Sequence, residues 1–221
     1  MQVDQRITEP WVWTDIKAGR ADFLYVGALT IVWSIIHFAV FTFMKIPNKL
    51  QQLKEDEKNQ EQATPKEDAI AKPSKFNQAR IEYLCMWVTF INSTISAFGG
   101  FWYAITVGLK HPEEPFDSFE YFFVTMNISY FMYDTIVQLS MGHQSFEFLL
   151  HHIMAIIGFS TPLVYARWSC FAVYGMFVAE ISGPCLTMRK ILPWLDNLPS
   201  WVPNANDITF MVVFLIARYE F

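Results

Sequence analysis

From Phe23 to Met44 the chain runs for 22 residues without an Asp, Glu, Lys or Arg, and a stretch of that kind has few ways to fold. A helix needs about 20 apolar residues to cross the hydrocarbon core of a bilayer, and a charge at its centre costs about 3 kcal/mol. The segment opens too far from Met1, and without a basic n-region, to be a cleaved signal peptide. It is expected to be an anchor helix that stays in the membrane.

Further stretches of the same character follow. Tyr83 to Leu109 is free of charge over 27 residues and ends at the breaker-rich His111-Pro-Glu-Glu-Pro115, a turn between helices. A third apolar run starts near Ser118 and reaches Leu139 with Asp134 within its body. The run after Glu147 reaches Ala166 with His151 and His152 near its start, and Trp168 to Met188 holds the single acid Glu180. Ile208 to Phe221 adds 14 apolar-rich residues, about 21 Å of helix at 1.5 Å per residue, so the last helix reads as truncated. With 53% hydrophobic and only 17% charged residues, against about 25% charged in soluble domains, the expected fold is all-α: a multi-pass transmembrane helical bundle of about six spans.

Direction follows from the basic residues. Segment 45–80 carries eight of the 16 Lys and Arg, and cytosolic loops are enriched in these. The division is then a lumenal N-terminal segment over 1–22, an anchor helix over 23–44, a cytosolic linker over 45–80 and the remaining bundle over 81–221. Alternation places Arg189-Lys190 on the cytosolic side again. The linker is rich in Gln, Glu, Lys and Pro between 51 and 75 and is expected to be disordered.

A net charge of −5 argues against a nucleic-acid partner. Cys85, Cys170 and Cys185 are odd in number and sit in apolar runs without CxxC spacing, the pattern of small core hydrophobes rather than of disulfides or a zinc site. The sequons at Asn92 and Asn127 fall inside expected spans, where their amides serve helix contacts or a cavity instead.

An ionisable residue inside the membrane points to function, because the bilayer penalises it unless it meets a partner or water. Asp134, Glu147, His151, His152 and Glu180 form such a set, with His37 apart from them. Glu147 and His151 are four apart and share a helix face, a spacing that lets a carboxylate fix an imidazole tautomer for acid–base work. His152 points about 100° away, and no third ligand stands at metal spacing, so no metal is expected. Gly183-Pro184 should kink the fifth span, since the proline lacks the amide that would bond the carbonyl of Glu180. The plainer alternative is that these groups only staple helices together.

The His151-His152 pair at the start of a span, preceded by Tyr130-Phe-Met-Tyr-Asp134 and followed by Glu180-Ile-Ser-Gly-Pro-Cys-Leu-Thr-Met-Arg-Lys190, resembles the TLC-domain family over about residues 22–221. That family includes the ceramide synthases and several non-synthase endomembrane proteins. The resemblance implies a polar cavity that admits a lipid acyl chain, lined here by Asp134, Glu147, His151, His152 and Glu180. In the synthases the paired histidines are catalytic, which makes His151 and His152 the catalytic candidates. The synthases follow them with a His-Asp and a further Asp at three-residue spacing. Here Ala179-Glu180 and Gly183 stand at those places, so the pattern is similar to the non-synthase branch. The expectation is an endoplasmic-reticulum protein of membrane lipid homeostasis that binds a membrane lipid or fatty acyl chain and needs no cofactor. The alternatives are an N-acyltransferase using acyl-CoA and, from another class, a cargo receptor.

Overall fold

The computed structural model describes residues 14–63, 74–108, 116–141, 146–165 and 168–219, with side chains from Leu24 onward except at 61–63, 141 and 148. Among these the fold is all-α. The helices are α1 (Thr14–Phe43), α2 (Asn48–Ala63), α3 (Lys75–Thr106), α4 (Ser118–Met141), α5 (Phe146–Tyr165), α6 (Ser169–Glu180), α7 (Gly183–Ile191) and α8 (Trp201–Tyr219), with a 3₁₀ turn at Leu192–Trp194. Most of the segment expected to be lumenal at 1–22, the turn at 111–115 and residues 64–73 of the linker lie outside the described residues.

Every expected span is a helix. Leu24–Phe43, Lys75–Thr106 and Ser169–Trp194 are long and apolar enough to cross a membrane, and Leu149–Tyr165 is a shorter apolar helix. Helix α4 falls short on hydropathy because Thr125, Asn127, Ser129 and Asp134 interrupt it, and all four are buried. Their polarity is spent inside the protein. The Asn127 amide donates to the carbonyl of Phe123 at 2.9 Å, and Ser129 Oγ reaches the carbonyl of Val26 at 3.0 Å.

The chain forms two compact units. The first takes in the described residues of Met1–Trp33 and His111–Ala172. Here the first half of α1 meets α4: Trp33 is buried, its indole N–H donates to the carbonyl of Met126 at 3.3 Å, and its ring lies edge-on to Tyr130 at 5.2 Å. A buried indole with both its ring and its donor satisfied fixes the register of the two helices.

The second unit takes in Ser34–Lys110 and Val173–Phe221. Its centre is α3, whose 32 residues span about 48 Å. Small residues on one face let the neighbouring backbone come close. A Cβ built on Gly100 would lie 2.5 Å from Phe177 Cβ, and one on Gly183 would lie 2.8 Å from Ser93 Cβ. Beyond the helix, Gly108 adopts φ +68° and its amide returns to the carbonyl of Tyr103 at 3.4 Å, the left-handed ending that glycine allows without strain.

Three features depart from expectation. Residues 48–63 of the linker are helix α2, not disordered chain. Composition conceals the cause: Leu50, Leu53 and Glu57 fall on one face, and fully buried Leu50 packs with Phe76, Tyr83, Leu84 and Ile191. Glu57 then caps α3 from outside, its carboxylate accepting from Ser74 Oγ at 2.6 Å and from the amides of Lys75 at 2.8 Å and Phe76 at 3.3 Å. These bonds, the Ser74 hydroxyl first among them, hold the Glu57 carboxyl below its ordinary value. A depressed carboxyl stabilises the fold above its unfolded pKa and loses that contribution as pH falls through the folded value. Exchange of the Lys75 and Phe76 amides should therefore be faster in Glu57→Gln than in the parent at pH 6, with the difference lost as acidification carries Glu57 through its depressed folded value. A constant difference at every pH would show that the carboxylate charge plays no part.

The proline at 184 does more than kink one helix. It stands in the first turn of a new helix, where a missing amide costs nothing, and the break falls at Ile181-Ser182 between α6 and α7. Finally, α8 starts at Trp201 rather than Ile208 and is 19 residues long. Its polar first turns are held to α7: Asn206 Nδ2 donates to the carbonyl of Cys185 at 2.9 Å, and Asp207 pairs with Arg189 at 3.3 Å.

Candidate functional site

Helices α4 and α5 bring together two of the five polar residues. Asp134 and His152 are each 3% exposed, and His152 Nε2 lies 3.5 Å from Asp134 Oδ2. Thr135 completes the group, with Oγ1 at 3.1 Å from His152 Nδ1. The Gln138 side chain, one turn along α4, hydrogen-bonds to the Asp134 carboxyl. Phe131 forms the apolar wall, its ring edge-on to His152 at 5.3 Å and stacked on Phe159 at 6.3 Å.

The hydrogen bonds fix where the protons sit. The single hydroxyl proton of Thr135 goes to the carbonyl of Phe131 at 2.7 Å. Thr135 Oγ1 is therefore the acceptor toward the ring, and Nδ1 carries a hydrogen. A hydrogen bond between the ring and the main chain of Phe131 agrees with this. In a neutral ring Nε2 is then a bare lone pair facing a carboxyl oxygen. A proton on Nε2 or on Asp134 would make that 3.5 Å contact attractive. A proton shared between the two would leave the pair without net charge, the state a low-dielectric interior favours.

The other three residues lie elsewhere. Glu147 and His151 do share a helix face, but both are exposed. The ring of His151 sits 6.2 Å from Phe131 and 5.8 Å from His152, so the two histidines are neighbours with opposite settings. Glu180 belongs to the second unit, half-buried at the end of α6, with Oε2 3.1 Å from the point a Gly183 Cβ would occupy. His37 stacks on Phe41 at 4.1 Å in that same unit.

Sequence reasoning missed Thr135, which orients the imidazole. Its signal was adjacency to Asp134, since a threonine beside an intramembrane acid can offer a second polar atom to whatever partner the acid finds. The sequons at Asn92 and Asn127 are buried at 1% and 0% exposure, as expected for positions inside spans, and Cys85 and Cys170 are buried.

Comparison with known proteins adds the following. The sequence model of the TLC domain family matches residues 76–219. TLC domain-containing protein 2 of Danio rerio is 26% identical over 139 residues, covering 59% of this chain and 54% of that protein. The chain thus spans about half the length of the curated relative it matches. No solved structure matches.

Proposed function

The chain belongs to the TLC-domain family, and on that premise we propose that it is a non-catalytic protein of membrane lipid homeostasis that holds an acyl chain or lipid against the polar group on α4 and α5. The observation that carries the reading is the buried Asp134–His152 pair. Its carboxyl and imidazole groups offer hydrogen bonds to a lipid hydroxyl, carbonyl or amide. Glu147, His151 and Glu180 complete the polar lining in this reading. Family membership supports the link to lipids, and the similarity to a non-synthase relative agrees with the loss of polar groups at Ala179 and Gly183.

Against catalysis stands the setting of the two histidines. Amine attack on a thioester needs a base and an oxyanion donor converging on one carbonyl. His152 is shielded and already bonded to Asp134 and Thr135, whereas His151 is exposed.

We place the protein in the endoplasmic-reticulum membrane, N-terminus lumenal and 45–80 cytosolic. The distribution of basic residues supports this, and so does a contact within the second unit. Lys49 Nζ donates to the carbonyls of Pro193 at 2.9 Å and Leu195 at 3.2 Å, so two segments assigned to the same side meet.

Mass spectrometry of lipids retained through purification tests the reading. The parent should carry a dominant lipid class, and His152→Ala should lose most of it, while neither protein moves an acyl group from acyl-CoA to a sphingoid amine. Acyl transfer abolished by His151→Ala and His152→Ala would replace the proposal with an acyltransferase. Equal lipid retention in parent and variant would reduce the pair to a packing device.

A further inference from the structure

A second polar feature lies at the N-terminal end of α4, whose first residue, Ser118, is 16 residues and about 24 Å along the helix from Asp134. There an open cleft of about 420 Å³ is lined by Tyr25, Phe116, Asp117, Ser118, Tyr121 and Phe122. That is within the size of small-ligand sites, about 300–1,000 Å³. Four of its six lining residues are aromatic, and one of the others is an acid. Tyr25 and Tyr121 lie ring to ring at 5.7 Å, which holds the α1 and α4 sides of the cleft together.

The charge at this end of α4 is fixed by a reciprocal cap. Asp117 Oδ1 accepts from the amide of Glu120 at 2.8 Å, and Glu120 Oε2 accepts from the amide of Asp117 at 2.9 Å. A helix N-terminus carries about half a positive charge, which favours a carboxylate beside it. The carboxyl of Glu120 is fully buried, while Asp117 is half-buried and lines the cleft. The depth of the cleft is informative too. The uncharged run of α1 opens at Phe23 and α4 begins at Ser118, so the cleft lies where the two apolar runs start. Aromatic side chains collect at that level, and lipid headgroups lie there.

Aromatic rings beside a carboxylate suit a cation that is held through ring faces and charge rather than through N–H donors. We propose that this cleft binds a quaternary ammonium headgroup of the kind a choline phospholipid carries. Ring faces attract such a cation through their quadrupoles, and Asp117 supplies the opposite charge. The proposal stands on residues separate from the Asp134–His152 pair, so either can fail alone.

The test uses the full chain in a maltoside detergent, titrated with short-chain phosphatidylcholine, short-chain phosphatidylglycerol or choline chloride and read by native mass spectrometry. Phosphatidylcholine should bind about tenfold more tightly than phosphatidylglycerol. Asp117→Asn keeps an oxygen that caps α4 and removes only the charge, and Tyr25→Leu removes a ring. Each should weaken phosphatidylcholine about fivefold and leave phosphatidylglycerol unchanged. Equal binding of the two lipids, or parent-like binding by both variants, would overturn the proposal. Choline chloride binding as tightly as the lipid would overturn the lipid source and assign the cleft to a soluble ammonium compound.

Discussion

Replacing His152 by leucine should destabilise the protein by about 3–5 kcal/mol, measured by reversible unfolding in mixed detergent–SDS micelles, because it leaves the buried Asp134 without its partner. Asp134→Leu should cost a similar amount. The double variant should cost less than the sum by more than about 1 kcal/mol, since removing both groups leaves no orphan. Asp134→Asn separates the proton arrangements further. With Nδ1–H committed to Thr135, the asparagine amide can donate to the bare Nε2, so this variant should lose only about 1 kcal/mol. A loss as large as that of Asp134→Leu would show that the contact requires a carboxylate facing an imidazolium.

Gly100→Ala should be the other costly change, despite adding a single methyl group. Its Cβ would meet Phe177 Cβ at 2.5 Å and Phe177 Cα at 3.1 Å, and a backbone atom cannot be turned aside as a flexible side chain can. The helices must separate, at about 2–3 kcal/mol. Gly158→Ala is the control, because nothing lies within 4 Å of its Cβ position. It should be neutral or stabilise the helix by up to about 1 kcal/mol. Equal effects at the two positions would mean that helix propensity, not close approach, sets the cost at Gly100.

Hydropathy located helices wherever it found apolar stretches, and it failed where helices are made by contacts. α2 is invisible to it, because two leucines among charged residues form no apolar run, yet Leu50 is fully buried once α3 is beside it. The start of α8 was missed for the same reason. Pro203, Asn204, Asn206 and Asp207 look like loop until Cys185 and Arg189 supply partners. At the site, the sequence marked both Asp134 and His152 but did not link them to each other. Glu147 with His151 is a pair that helical spacing can reveal. Asp134 with His152 joins two helices across eighteen positions of chain, and only the packing of α4 on α5 brings them together. The proline at 184 was legible as a disturbance, but whether such a residue kinks a helix or starts a new one depends on the turn before it.

The bonds from Lys49 to Pro193 and Leu195 close a loop of 144 and 146 positions. A ribosome adding about 5–20 residues per second releases the two ends about 7–30 seconds apart. For that interval α2 has its own neighbour in α3, but the lysine ammonium has no carbonyls to meet. The clasp is therefore among the last contacts made during synthesis, and a nascent chain stalled before residue 193 carries α2 without it.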